Sequence, residues 1–519
     1  MSASQQFVPL RDVAAYPGAR LSQLLRRREL SIILVCFAIV QLSLGHHNGD
    51  NSWLFTLCEK ILDGARPYVD VIETNPPASF MLYMPAVALA RWLHLPAEFV
   101  VSVCVFAAAI ASIAFTGVVL RASGLQSRRD EGFAFNAAIF VLIVLPGFSF
   151  GEREHIAAIA ILPVLAVYAA RAMTLRVSFS NALGAGLLAG LTMAIKPHFA
   201  LAIALPLIVA LWRRRSFSPL FQIENLAATG VVLAYVAVVF LRYPEFFSAL
   251  PSIIDAYVPV REPFDVLLAH PWFLANCVLL TVLAGVGRRR CHQPCVAVLI
   301  AASLGFLGAY IAQGKGWVNH GLPGVALTML AMCLVAAPAM AELAERRDLA
   351  AWTDLRRMIL FGLAPAVVGL PILFGTVMQF SQLEEHPGLT AAVRRVGPPR
   401  PKIIALSGEL DLGHPLVRTV GGEWVGQSHS LWLMLSAQFL LETRRGDATR
   451  LAQYVDQDAR MFADNVRDRK PDIILVGDGE WTERMSAHRY IATAMKNYEL
   501  VETVTKIGVW RPKQGTGAP

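Results

Sequence analysis

Asp50 follows a glycine just behind the first apolar run, in HHNGDNSW, and Asp70 and Glu73 lie in the polar stretch after it. Glu152, Arg153, Glu154 and His155 fill GEREH, between two apolar runs that leave almost no connecting loop. Lys196 and His198 flank Pro197 inside the apolar stretch 182–212, and Lys315 and His320 stand in QGKGWVNH. Ionisable groups at or within a bilayer are costly, so a functional role is the first hypothesis for them. A carboxylate facing a cationic cluster suits transfer of a group from a phosphorylated lipid to a hydroxyl. The carboxylate accepts the nucleophile's proton as general base, and the cations stabilise charge developing on the departing phosphate. Any one of these residues could instead be a solvated loop residue. GEREH resists that reading, because both glutamates and the arginine must sit at the interface, where they need partners or a ligand.

The elements that must position these groups are membrane helices. Of the 519 residues, 55% are hydrophobic and 16% charged, and the mean hydropathy is +0.51, which excludes a water-soluble enzyme. The apolar residues come in blocks of about 18 to 25, the length that crosses roughly 30 Å of hydrocarbon. The net charge of +8 implies no nucleic-acid partner, since the arginines cluster in short connectors between apolar blocks. With the basic N-terminal segment 1–29 inside, an uncleaved first span at about 30–45 delivers HHNGDNSW to the outer face. A long polar loop follows. Residues 78–94 are apolar but short and hold Pro85 and Arg91; we read them as interfacial, because the arginine-bearing connector 121–130 must be cytoplasmic and 97–120 must therefore run inward.

Alternation then places spans at 132–150, 155–173, a hairpin over 182–212 with its tip at Lys196-Pro197-His198, 226–241, 271–287, 295–312, 322–340 and 358–380. Proline breaks the helix at the tip, and the lysine charge requires water or a partner there. The expectation is mainly α: a polytopic bundle of about 11 spans over 30–380, with interfacial helices in the outer loop 46–96. Inside connectors hold 20 Lys and Arg against eight in the outer loops, which supports this orientation and puts the C-terminal tail outside. That tail, 381–519, reads as a small extracytoplasmic α/β domain: KIIALSG and PDIILVG are short buried strands, with helical periodicity over 430–468 and 480–496.

Other residues have two readings. The seven cysteines lie mostly inside spans and none in the polar last quarter, so no disulfide-stapled domain is expected, and CHQPC (291–295) does not complete a zinc site. His46 and His47 could add a metal ligand beside Asp50, or be solvated at a span end. Tyr68 and Trp53 could stack on a sugar, or anchor the interface. Trp424 and Trp432 could contact an acceptor glycan, or form a local core.

The segment GDNSWLFTLCEKILDGARPYVDVIETNPPASFMLY (49–83) resembles the first outer loop of C-superfamily (GT-C) integral membrane glycosyltransferases, as in protein O-mannosyltransferases and lipid A aminoarabinose transferases. The shared pattern is an acidic residue soon after the first span, then G-x-P-Y-x-D, then Pro-Pro. GEREHIA is similar to the family's second outer-loop acidic motif, GLTMAIKPHF to its G-L-x-x-x-x-K-P hairpin, and QGKGWVNHGLP to a basic and aromatic outer-loop motif. The resemblance covers about 30–340. Asn51 and Asn75 depart from it, where the family often has Glu and Lys.

The resemblance implies a bacterial inner-membrane enzyme that moves a sugar from a polyprenyl-phosphate donor to a hydroxyl of an envelope glycan, lipid or protein, with inversion. Asp50 takes the base position, and Glu152 or Glu154 the second acidic position. These two glutamates would orient the acceptor or bind a divalent cation. Lys196, Arg153 and Lys315 would grip the donor phosphate, with Arg66, His198 and His320 as further cations. Asp70, Glu73, Tyr68 and Trp53 are candidate contacts to sugar or acceptor. Two other classes stay open: a flippase or exporter of a lipid-linked saccharide, which needs no essential carboxylate, and a non-catalytic envelope-assembly protein.

Overall fold

The computed structural model describes residues 31–32, 34–36, 38–39, 48–126, 128–286, 291–345 and 386–513. Among the described residues six helices are long and apolar enough to cross a bilayer: Ala97–Ala122, Arg153–Ala172, Pro197–Arg214, Ile223–Arg242, Pro294–Gln313 and Val318–Ala336. The chain is a multi-pass membrane protein. In hydrocarbon every backbone amide must be satisfied by the protein itself, and a helix does so within one apolar window of this length. Shorter apolar helices cover Met84–Leu93, Ala134–Val144, Phe179–Ile195 and Pro271–Gly285. The spans expected at 97–120, 155–173, 226–241, 295–312 and 322–340 each coincide with one of the six. The span expected at 358–380 and most of that at 30–45 lie outside the described residues.

Two features of this bundle follow from particular residues. The hairpin expected over 182–212 is a helix Phe179–Ile195, an extended Lys196, a tight turn Pro197–Phe199 and a helix Ala200–Arg214, so proline does set the tip. Small residues let helices approach: a Cβ on Gly186 would stand 2.2 Å from the Glu224 carbonyl oxygen, and one on Gly190 would stand 2.8 Å from that of Ala228. This G-x-x-x-G face is how helices pack where water supplies no hydrophobic drive.

Two regions differ from the sequence expectation, and residues 78–94 between them, expected at the interface, do not. The polar loop after the first span contains a helix, Gly49–Leu62, that the abundance of polar residues concealed. Residues 78–94 form two helices, Ala78–Met81 and Met84–Leu93, and ten residues rise only about 15 Å, half the hydrocarbon thickness. The 132–150 region is a helix Arg128–Ile139 that widens to a π-turn at Phe140–Val144 and ends in a tight turn at Gly147–Ser149, beyond Pro146.

The C-terminal region builds one five-stranded sheet in the order β2-β1-β3-β5-β4. The strands are β1 Lys402–Leu406, β2 Glu423–Trp424, β3 Ile473–Val476, β4 Tyr498–Val504 and β5 Ile507–Pro512. β1 pairs in parallel with β2 and β3, and β5 runs antiparallel to both β3 and β4. β1 and β3 are the two strands read from sequence, and both are buried, as a central parallel pair must be.

Candidate active site

Asp50 sits in the first turn of the Gly49–Leu62 helix. Asn48 caps that turn: its side-chain oxygen accepts from the Asp50 amide at 2.7 Å, and its Nδ2 donates to Glu152. The GEREH turn approaches from the start of the Arg153–Ala172 helix. Gly151 has φ +81°, a left-handed conformation that only glycine adopts without strain, and the turn is then pinned on both sides. Tyr83 Oη donates to the Gly151 carbonyl at 2.8 Å, and the Gly151 amide donates to His155 Nδ1 at 3.0 Å. His155 Nε2 lies 2.7 Å from the Leu142 carbonyl, which fixes that nitrogen as the protonated one. His155 is thereby a brace for the turn.

This turn directs its two carboxylates and its arginine to different partners. Arg153 Nη2 donates to Asp50 Oδ2 at 2.6 Å. Glu154 points the other way, into an ion pair with Lys196, within 3.5 Å of Asn319 Nδ2 and of His320 Nε2. Lys196 Nζ also donates to Gln313 Oε1 at 2.9 Å. The hairpin tip, GEREH and the QGKGWVNH motif thus meet in one buried network. His198 is half-buried beside Phe199 at the edge of this group.

Above the network lies a cavity of about 1400 Å³, and Asp50, Trp53, Glu73, Glu152, Arg153 and Lys315 all line it. Glu154, Lys196, His198 and His320 are not on its wall but behind it. Glu73 is buried and saturated: it accepts from Trp53 Nε1 at 2.6 Å and from the Asn75 amide at 2.9 Å, so it orients the loop and the indole. Lys315 donates to the carbonyls of Tyr257 (2.7 Å) and Val260, with its ammonium 3.9 Å from the Tyr257 ring centre. Three predicted residues lie elsewhere. Arg66 and Asp70 pair with each other on the surface at 3.1 Å, and Tyr68 is buried against Phe80 and Phe246 with its hydroxyl on the Asn75 carbonyl.

The cavity wall is electrostatically unfinished. Arg153 is 3% exposed, yet its Nε and Nη1 have no hydrogen-bond partner, and neither does Glu152 Oε2. Buried donors left without acceptors are costly, and such a group in a cavity is a place where a ligand oxygen fits. Burial, followed by the nearby charges of Glu154 and Asp50, pushes the Glu152 carboxyl well above the usual range. Burial lowers Lys315 to about 8, and the neighbouring Arg261 adds to the effect. Each acidic side chain of the turn is tied to a separate donor. Among the described residues no three His, Cys, Asp or Glu side chains gather as metal ligands, and His46 and His47 lie outside them. No closed, all-protein metal site is built from the described residues, and no step is routed through a metal ion.

Sequence reasoning missed several wall residues. Asn48 carries a local signal, an N-cap type just ahead of Gly-Asp. Asn319 stands in QGKGWVNH, between residues whose charge is the stronger signal. Glu409, Asp411 and His429 come from the C-terminal region and line the same cavity, and no local pattern announces this; Trp432, read as an acceptor contact or a local core, lines it too. His429 stacks edge-on against Trp53 at 5.7 Å, and burial lowers its imidazole below the ordinary value.

No family profile and no curated protein matches the chain. Solved structures do. The crystal structure of ArnT from Cupriavidus metallidurans bound to undecaprenyl phosphate is 14% identical, and the match covers 94% of this chain and 99% of that one with a TM-score of 0.51. The apo structure of the same protein is 13% identical over 92% and 97%, with a TM-score of 0.49. At such identity the likeness concerns the fold, and the fold of this chain over nearly its whole length is the GT-C fold of ArnT.

Proposed function

We propose that the protein is a GT-C glycosyltransferase that moves a sugar from a polyprenyl-phosphate donor to a hydroxyl of an envelope glycan, lipid or protein. The observation that carries this reading is the pair Asp50–Arg153 on the cavity wall: a carboxylate open to the cavity, beside a buried guanidinium whose Nε and Nη1 have no partner. The fold of a protein crystallised with undecaprenyl phosphate supports the same donor class.

Asp50 accepts the proton of the attacking hydroxyl. The acceptor oxygen forms its bond to the anomeric carbon while the bond from that carbon to the phosphate oxygen breaks, on the opposite face, so configuration inverts. The leaving polyprenyl phosphate carries off the bonding pair. Arg153, through its free N–H groups, and Lys315 stabilise the charge it gains. Lys196 lies behind the wall and acts through Glu154, holding the GEREH turn at its place. Glu152, with its raised affinity for a proton, is suited to hydrogen-bond an acceptor hydroxyl. The cavity opens on the extracytoplasmic side in the orientation set by the arginine connectors, with the N-terminus cytoplasmic.

The test is turnover of purified protein with a mixed pool of polyprenyl-phosphate sugars, read as release of free polyprenyl phosphate. Asp50→Asn is expected to abolish release with expression and folding intact. A variant that still releases polyprenyl phosphate at near the parent rate removes the base assignment.

A further inference from the structure

The segment that leaves β1, residues 407–419, grips the Gly49–Leu62 helix at both ends. At its N-terminal end a Cβ on Gly49 would stand 2.7 Å from Leu410 Cδ2 and 2.8 Å from the His414 carbonyl oxygen, so the two backbones touch. Near its C-terminal end Arg418 donates to Glu59 from Nη1 at 2.6 Å and from Nη2 at 2.9 Å. The same guanidinium donates to Glu98, from Nε and from Nη2, the latter at 3.2 Å, and Glu98 lies in the first turn of the Ala97–Ala122 span. Between these grips, the Trp53 ring meets the His414 ring edge-on at 5.4 Å.

An exposed ion pair would be worth little. Arg418 is different: its side chain is 15% exposed, and a planar fork shared by two carboxylates fixes angle as well as distance. One segment of the C-terminal sheet region thus joins the helix that carries Asp50 to a membrane span. Proton abstraction tolerates displacements of well under 1 Å. We propose that Arg418 is a positioning residue for Asp50, and that the C-terminal region is in this way part of the reaction apparatus; the proposal rests on the transferase reading above.

The experiment compares Arg418→Ala, Arg418→Lys and Asp50→Asn in the full-length protein. Three readouts are taken: release of polyprenyl phosphate from the mixed donor pool, affinity for undecaprenyl phosphate, and thermal unfolding. Arg418→Ala is expected to lower the turnover rate tenfold or more, with undecaprenyl phosphate affinity within twofold of the parent. Arg418→Lys, which keeps the charge and loses the fork, is expected to recover part of the rate. Should Arg418→Ala fail to fold, the double variant Glu59→Gln/Glu98→Gln, which keeps volume and acceptor oxygens, is expected to give the same split. Parent-like turnover in the folded clamp variants, with Asp50→Asn inactive, overturns the positioning role alone. A loss of undecaprenyl phosphate affinity matching the loss of rate also overturns it. An active Asp50→Asn overturns the transferase base and the clamp's role together.

Discussion

At the scale of single residues, the cavity separates groups on its wall from groups behind it that hold others in place. Lys315 is on the wall, while Lys196 is behind it, committed to Glu154 and Gln313. The two lysines should therefore respond differently to pH and to mutation. Lys315 is lowered to about 8, so it is charged at neutral pH and loses its proton as pH rises through that value. On the proposed mechanism its charge stabilises the departing phosphate, so kcat/KM should fall on an alkaline limb near pH 8. Lys315→Met should give a lower rate that no longer changes across that limb. A pH–rate profile checks both, and an unchanged limb in the variant would assign it to another group. Asp50, Arg153 and Lys315 were legible in the sequence because each sits at the end of an apolar run, where a charge must be explained. Arg418, Glu409 and His429 were not, because nothing beside them signals a contact with residues more than 300 positions away.

At the scale of elements, the hairpin tip was readable because Pro197 and Lys196 act locally, whereas the Gly49–Leu62 helix was hidden inside a stretch that reads as loop. The β4–β5 hairpin was missed for a related reason: β4, the edge strand, is exposed or half-exposed along most of its length and alternates too weakly to stand out. A buried carboxylate links the C-terminal elements to the cavity. The helix Trp432–Glu442 has no cap of its own, and Asp458, from the helix Ala448–Arg469, accepts from the Met434 amide at 2.9 Å in place of one. Trp432, Leu435, Ser436 and Phe439 on that capped helix line the cavity. Burial raises Asp458 to about 7, against 3.8 in the free residue. The folded state then holds a proton that the unfolded state has released between those values. Stability should therefore fall as pH rises from about 4 to about 7 and level off above, a loss of roughly 4 kcal/mol. Asp458→Asn keeps an acceptor oxygen for Met434 and has no proton to lose. Thermal unfolding across this range should show a shallower slope in the variant, and equal slopes would exclude Asp458 as the source.

At the scale of the molecule, the helix Arg153–Ala172 is the axis of the bundle, buried along nearly its whole length, and it carries an ion pair at each end. Eighteen residues, about 27 Å, separate them. The pair at the cavity is incomplete, since Arg153 reaches Asp50 through Nη2 alone and leaves Nε and Nη1 without a partner. The far pair is closed: Arg171 donates to Glu224 from Nε at 2.9 Å and from Nη2 at 3.0 Å, and Glu224 is fully buried under the G-x-x-x-G face of the hairpin. The same side-chain chemistry thus serves two ends of one helix differently, an incompletely partnered pair on the cavity wall and a packing device where the bundle is sealed. Arg171→Met leaves the Glu224 carboxylate buried without a partner and should cost roughly 3–5 kcal/mol. Replacing both residues, Arg171→Met with Glu224→Met, removes the stranded charge and should restore most of that loss. Thermal unfolding in detergent measures the stability, and turnover per folded molecule should stay near the parent value in both variants. A large change in turnover in the doubly substituted, stable protein would mean that the two ends are coupled through the helix, and that the sealed pair belongs to the reaction after all.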